Sequence, residues 1–196
     1  MMEKDKMNIV LYGNDDCGKT TTLFELAMLL VSGESSPSSS LVRQINNQFQ
    51  NKGKYIDTHF ILKYRDKTIY ICTGGDSWVM CKSNYDFFNG IFNSQFVIFS
   101  IDENGIGKIS LTEKEVIKKQ TPDICISACR INDEKYGAMQ SIHHYNESFL
   151  DCLTCQLWIH QPKEEENNEV QVKKRNINMA KKIVNIIDGS INNLFK

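Results

Sequence analysis

Apolar residues fall along this chain in short runs, and the runs alternate between two kinds. Asn8-Ile9-Val10-Leu11-Tyr12 is short and β-branched, as a strand buried on both faces requires. The stretch from Thr21 to Val31 is longer, apolar and free of Pro and Gly, and predicts a buried helix. Tyr55 to Tyr64 and Thr68 to Thr73 read as two strands. The short charged turn Arg65-Asp66-Lys67 joins them, so they form an antiparallel hairpin with the more apolar second strand inside. Ser77 to Asn93 carries Trp78, Tyr85, Phe87, Phe88 and Phe92 and predicts a partly helical segment. Further strands are predicted at Gln95–Glu103, Asp123–Arg130 and Leu153–Ile159. A capped helix is predicted from Ser110 to Lys119, ending before Pro122. Near the C-terminus Ile177, Ala180, Val184, Ile187, Ile191 and Leu194 recur at steps of three and four, the stripe of an amphipathic helix docked on a sheet.

Three stretches break the alternation. Ser32 to Ser40 is rich in Ser with Gly33 and Pro37, a loop by composition that serves as a plain connection or as a lid over a site. Leu41 to Lys54 is polar without a period that assigns it, and Lys163 to Glu169 is a solvated charged loop. Strands alternating with helices predict an α/β fold. The expected form is a three-layer sandwich with a mostly parallel sheet and one antiparallel hairpin, as a single domain over 1–196.

Composition narrows this picture. With 24% charged residues and a net charge of -1, no global field favours nucleic acid or an anionic membrane. No run approaches the roughly 20 apolar residues of a membrane span. The segment Met1 to Lys6 lacks the architecture of a signal peptide, so a cytoplasmic protein is expected. The cysteines (Cys17, Cys72, Cys81, Cys125, Cys129, Cys152 and Cys155) lie in apolar segments and read as small core residues in a reducing compartment. Cys152 and Cys155 form a C-x-x-C, but no second pair or histidine spacing completes a zinc site. Cys17 is expected to be open to thiol reagents in the empty protein.

The first strand and first helix enclose Gly13-Asn14-Asp15-Asp16-Cys17-Gly18-Lys19-Thr20, which fits G-x-x-x-x-G-K-[ST] at every constrained position. Glycines let successive backbone N–H groups turn inward onto phosphate oxygens. Lys19 would reach the β- and γ-phosphates, and the Thr20 hydroxyl would ligate Mg²⁺. Strand, glycine loop and helix are the three parts such a site needs, because the helix N-terminus adds its dipole, with Thr21 in its first turn.

Downstream, three further features fall where ligands sit in open α/β sheets, beyond strand C-termini. Gly74-Gly75-Asp76 would lie beside the phosphate loop if the inner hairpin strand neighbours the first strand. Asp76 would then hold Mg²⁺ or orient water, and the Gly75 N–H would meet the γ-phosphate. Asp102 and Glu103 close an apolar run as metal acid and catalytic base do, and compete with Asp76; the same residues also read as a turn. Arg130, ending its strand, is a candidate for transferred phosphoryl charge or for a plain surface ion pair.

The loop resembles that of the P-loop NTPases. The hairpin whose inner strand ends in Thr73-Gly74-Gly75-Asp76 looks most like the GTPase arrangement. It departs from it by having Cys72 or Thr73 where that family has Asp, and by lacking the guanine-specifying motif near Ser100-Ile101-Asp102-Glu103. The Asp16-Cys17-Gly18-Lys19-Thr20-Thr21-Thr22 run, Gly75-Asp76 and Ala128-Cys129-Arg130 are also similar to a group of small bacterial P-loop proteins. The resemblance implies binding of ATP or GTP with Mg²⁺ and hydrolysis coupled to a switch. Lys19, Asp76 and Glu103 would be catalytic, and Thr20, Asp76 and Asp102 would serve the metal. Phosphate contacts would come from Gly13 to Thr21 (including Asn14, Asp15 and Asp16), Gly75 and Arg130. A nucleoside monophosphate-type kinase and a non-catalytic nucleotide-binding module are the alternatives, and a protein partner or homo-oligomer fits a switch.

Overall fold

The computed structural model describes residues 6–14, 16–33, 39–91, 96–101, 107–112, 122–131, 153–160 and 168–194. Its centre is β1 (Met7–Gly13), in which every residue is buried, as the unbroken apolar run demands. β1 pairs in parallel on one side with β8 (Ile124–Arg130) and on the other with β9 (Leu153–Ile159). The full sheet has seven strands in the order β7-β6-β4-β5-β8-β1-β9. Here β4 is His59–Tyr64, β5 Lys67–Cys72, β6 Phe96–Ile101 and β7 Gly107–Thr112. A separate two-stranded pair joins β2 (Gln50–Asn51) to β3 (Lys54–Tyr55).

Direction decides which strand ends meet. β1, β5, β8 and β9 run in parallel, so Gly13, Cys72, Arg130 and Ile159 converge on one edge of the sheet. β4 is antiparallel to β5, and its first residue, His59, pairs with Cys72 at that same edge. The hairpin turn is two residues rather than three. Arg65 and Asp66 both adopt positive φ, the mirror-image turn that suits the strand twist, and Tyr64 pairs with Lys67. β6 runs parallel to β4, so Ile101 finishes at the opposite edge. β5 and β1 are not neighbours, because β8 lies between them.

Strand alternation sends side chains to two faces. Met7, Ile9 and Leu11 join the cluster under α1 (Lys19–Ser32), while Val10 and Tyr12 face Cys81 of α3 (Trp78–Phe88) and Cys129. Helices therefore cover both faces. α2 (Ser39–Phe49) forms in the polar stretch that showed no assignable period. Its buried residues, Leu41, Ile45 and Phe49, sit four apart, a stripe one residue wide and easily hidden among polar neighbours. Phe49, Phe60 and Tyr55 surround Phe24 of α1; Tyr55 stacks on it at 4.1 Å and Phe60 meets it edge-on at 4.9 Å. Each such pair contributes about 1 kcal/mol beyond area burial.

The predicted helix from Ser110 does not start there, because residues 110–112 pair with β6 as an edge strand. Residues 34–38, most of the Ser-rich loop, lie outside the described residues, as do 113–119, the rest of that predicted helix. The C-terminal helix, α4 (Glu169–Leu194), forms as expected but buries Asn176, Ala180, Ile183, Ile187 and Ser190. The fully buried stripe is turned from Ile177 toward Ile183, while Val184 and Ile191 of the predicted stripe still pack against the core. Arg175 reaches the Cys17 carbonyl at the edge where β1 ends, and Asp188 holds the Tyr64 hydroxyl at 2.8 Å and Arg65 at 3.2 Å at the opposite edge. No helix among the described residues is long and apolar enough to cross a membrane.

Candidate functional site

β1 delivers Gly13 to the edge where the parallel strands end, and α1 starts at Lys19. Gly18 caps the helix with φ 96°, and Asp16 also takes a left-handed conformation at φ 50°. A Cβ at Gly13 would sit 2.6 Å from Ile159 and overlap Cys17, and one at Gly18 would sit 2.7 Å from Asn176 Oδ1. Both glycines are needed because β9 and α4 press on the loop from behind.

The loop curls round Lys19, only 6% exposed, whose Nζ donates to the carbonyls of Gly13 at 3.1 Å and Asn14 at 2.7 Å. Asp76 faces the same ammonium at 3.6 Å and Arg130 at 3.5 Å. Asp76 is 41% exposed, so each contact is worth about 0–1 kcal/mol and is readily exchanged. One carboxylate thus lies between two cations at the mouth of the loop. A phosphate would find the same two partners.

Asp76 reaches the loop although β5 and β1 are separated. Residues 73–77 cross the end of β8, and Gly75 touches it: its carbonyl accepts the Arg130 N–H at 3.0 Å. A Cβ at Gly75 would overlap the Ala128 carbonyl. Ser77 then caps α3 by accepting from the Met80 N–H at 3.3 Å. Asn84, buried on that helix, donates to the Gly74 carbonyl at 2.7 Å and fixes the crossing from below.

The Thr20 hydroxyl lies 3.3 Å from both Asp57 Oδ1 and the Thr73 carbonyl, and its one proton is shared between these two acceptors. Asp57 was not singled out from the sequence. Hairpin arithmetic does find it: with His59 opposite Cys72, the chain two residues earlier comes opposite Gly74. Enclosure of its carboxyl, then the charge of Asp76, raises the Asp57 pKa above the ordinary value, while Thr20 and Lys19 pull it back. Arg175 and Asn176 were missed as well. Arg175 donates to the Cys17 carbonyl at 2.7 Å and to the His160 carbonyl at 2.9 Å, clamping α4 and β9 to the loop. Nothing in a regular helical stripe signals that role.

The structure therefore gathers Gly13, Asn14, Asp16, Cys17, Gly18, Lys19, Thr20, Thr21, Gly75, Asp76 and Arg130 at one edge. Asp15, Asp102 and Glu103 lie outside the described residues. The strand leading to the last two ends with Ile101 at the far edge. Cys17 is buried rather than open to reagents, and burial raises its thiol pKa against the pull of Lys19. Cys155 is half-buried, and Cys152 lies outside the described residues. Among the described residues no three His, Cys, Asp or Glu side chains converge to hold a metal by themselves.

Beyond Asp57 and Gly74 opens a cleft of about 420 Å³ between α2, the start of β4 and α3. Its floor is polar and internally satisfied. His59 bonds Asn84 Oδ1 at 3.1 Å and stacks on Phe87 at 4.6 Å, and burial lowers its pKa, so it is neutral near pH 7.

No family model matches the sequence, and neither a curated protein nor a solved structure matches the chain.

Proposed function

We propose that this chain is a Mg²⁺-dependent ATP- or GTP-binding protein of the P-loop class, with its helices and sheet forming that class's three-layer sandwich. The observation that carries the reading is the pairing of Lys19 with Arg130 around Asp76, over a loop shaped by Gly13 and Gly18. Phosphoryl transfer asks little covalent chemistry of a protein and much positioning of charge. In this reading the γ-phosphate takes over Lys19 and Arg130, and the loop amides face the remaining phosphate oxygens.

Magnesium would be held by the Thr20 hydroxyl and by Asp57, the carboxylate already on it, with Asp76 as second acid. The donor set fits this ion, which binds through one or two carboxylates plus phosphate oxygens and water. Once bound it neutralises charge on the β- and γ-oxygens. Asp76, released from the two cations, is the group placed to orient a nucleophile. Water as nucleophile makes the protein a nucleoside triphosphatase or a switch read by a partner, acting in the cytoplasm.

A second reading, small-molecule kinase, is favoured by the cleft beside Asp57, which offers room for an acceptor. Incubation with Mg·ATP and Mg·GTP, with and without nucleosides and nucleoside monophosphates, separates the readings. Phosphate release alone supports hydrolysis, acceptor-dependent diphosphate supports a kinase, and binding without either product supports a switch. Absence of binding to both nucleotides defeats the proposal.

A further inference from the structure

The cleft beyond Asp57 adjoins one particular end of the phosphate site. In the nucleotide-binding reading, Lys19 and Thr20, whose hydroxyl would hold Mg²⁺, mark the β/γ end of a bound triphosphate. Asp57 touches Thr20 and also lines the cleft, so the cleft would open toward a γ-phosphate held there. The nucleobase of the same nucleotide would hang from the α-phosphate, at the other end, which leaves the cleft to a second molecule.

Its lining specifies that molecule's class. Phe49, Ile56, Met80 and Val97 give aromatic and aliphatic walls, and a volume of about 420 Å³ lies within the range for a small organic ligand. Among the described residues lining it, Asp57 is the one acid and no Lys or Arg appears. A nucleoside monophosphate carries about -1.5 to -2 in charge and would meet Asp57 with no lining Lys or Arg opposite, since the Mg²⁺ that Asp57 would hold arrives with the triphosphate. A hydroxyl, by contrast, donates to a carboxylate. Gln48, exposed at the rim on α2, carries a carboxamide, the group that pairs in two-bond fashion with a base edge.

We propose that the cleft binds an uncharged nucleoside, with its ring against Phe49 and its hydroxyl at Asp57, as the phosphoryl acceptor. The inference rests on the nucleotide-binding reading above. In the step, the acceptor hydroxyl oxygen forms the new bond to the γ-phosphorus, and the bond from that phosphorus to its bridging oxygen breaks. Nucleoside diphosphate leaves with the bond's electron pair, the hydroxyl proton passes to solvent, and the acceptor becomes a monophosphate.

The test has two readouts on the full chain. Calorimetry titrates the nucleotide-free protein with adenosine, guanosine, cytidine, uridine and thymidine, and with their 5′-monophosphates. Chromatography then follows transfer from Mg·ATP and Mg·GTP. The expected result is that at least one nucleoside binds and is phosphorylated, and that its monophosphate binds at least about tenfold more weakly, as loss of one charged interaction implies. Ser83→Trp, which fills the cleft from α3, should abolish nucleoside binding, and Gln48→Ala should weaken it about tenfold. Mg·nucleotide affinity measured on each variant reports that it is folded. No binding or phosphorylation of any nucleoside overturns the proposal, as do monophosphates that bind more tightly or cleft variants that bind nucleoside like wild type. Retained Mg·nucleotide binding then leaves the phosphate loop standing. Loss of that binding in the wild type sinks both.

Discussion

The glycine loop between β1 and α1 and the cleft meet at Asp57, yet they are built in opposite ways. The loop is a consecutive run of backbone with one lysine and one hydroxyl at its end, and its shape follows from glycines and a strand-to-helix turn. The cleft is made of side chains from α2, β4, β6 and α3, brought together only when the sheet forms. A backbone-made site keeps its form through many side-chain changes but depends on close approaches. A side-chain-made site yields to single substitutions without loss of the fold. The two regions should therefore fail differently.

The largest effect is expected where the loop's support is a close approach. Gly75→Ala drives a methyl into the Ala128 carbonyl and should cost about 3 kcal/mol, read as a lower urea midpoint with unchanged m-value. A variant as stable as wild type would mean that the crossing over β8 is not as tight as described. Next, Asp57→Asn should weaken Mg²⁺-dependent nucleotide binding roughly tenfold while leaving metal-free binding nearly as it was. Asp76→Asn changes the metal response instead if the roles are reversed.

Much of the loop was legible in the sequence because it is local: spacing, glycines and flanking apolar runs identify it without tertiary knowledge. Gly75, Asp76 and Arg130 were legible as strand ends. The strand order was not, since nothing in β5 or β8 says which of them borders β1, and only the crossing at Gly75 carries Asp76 back to Lys19. Asp57 required the two-residue turn at Arg65-Asp66; a three-residue turn shifts the register by one. Arg175 sits in a regular helix, and α2 shows only Leu41, Ile45 and Phe49 in a polar run, so both depend on what the chain folds against.

Smaller effects sharpen the contrast. Arg175→Ala removes a charge-assisted hydrogen bond from the loop and should destabilise the protein by about 1.5 kcal/mol, with nucleotide affinity falling only a few-fold. Lysine at that position would restore part of the loss. The smallest effect concerns the cleft floor. Burial lowers the His59 pKa, so the unfolded chain binds the proton that the folded one resists. Stability is then full above the unfolded value of about 6.5 and declines as pH falls below it. Thermal melts from pH 7.5 to 5.5 should show a decline that His59→Gln makes shallower. An equal slope in both proteins would remove His59 from the account.

The central claim is that Lys19 and its loop hold the phosphates of a nucleotide. Equilibrium binding of Mg·ATP and Mg·GTP to wild type and to Lys19→Ala tests it most directly, with thermal melts to show that both are folded. The account predicts saturable binding of at least one nucleotide to wild type and a loss of about tenfold or more in the variant. Equal affinity in the two proteins, or no binding to wild type, would contradict it.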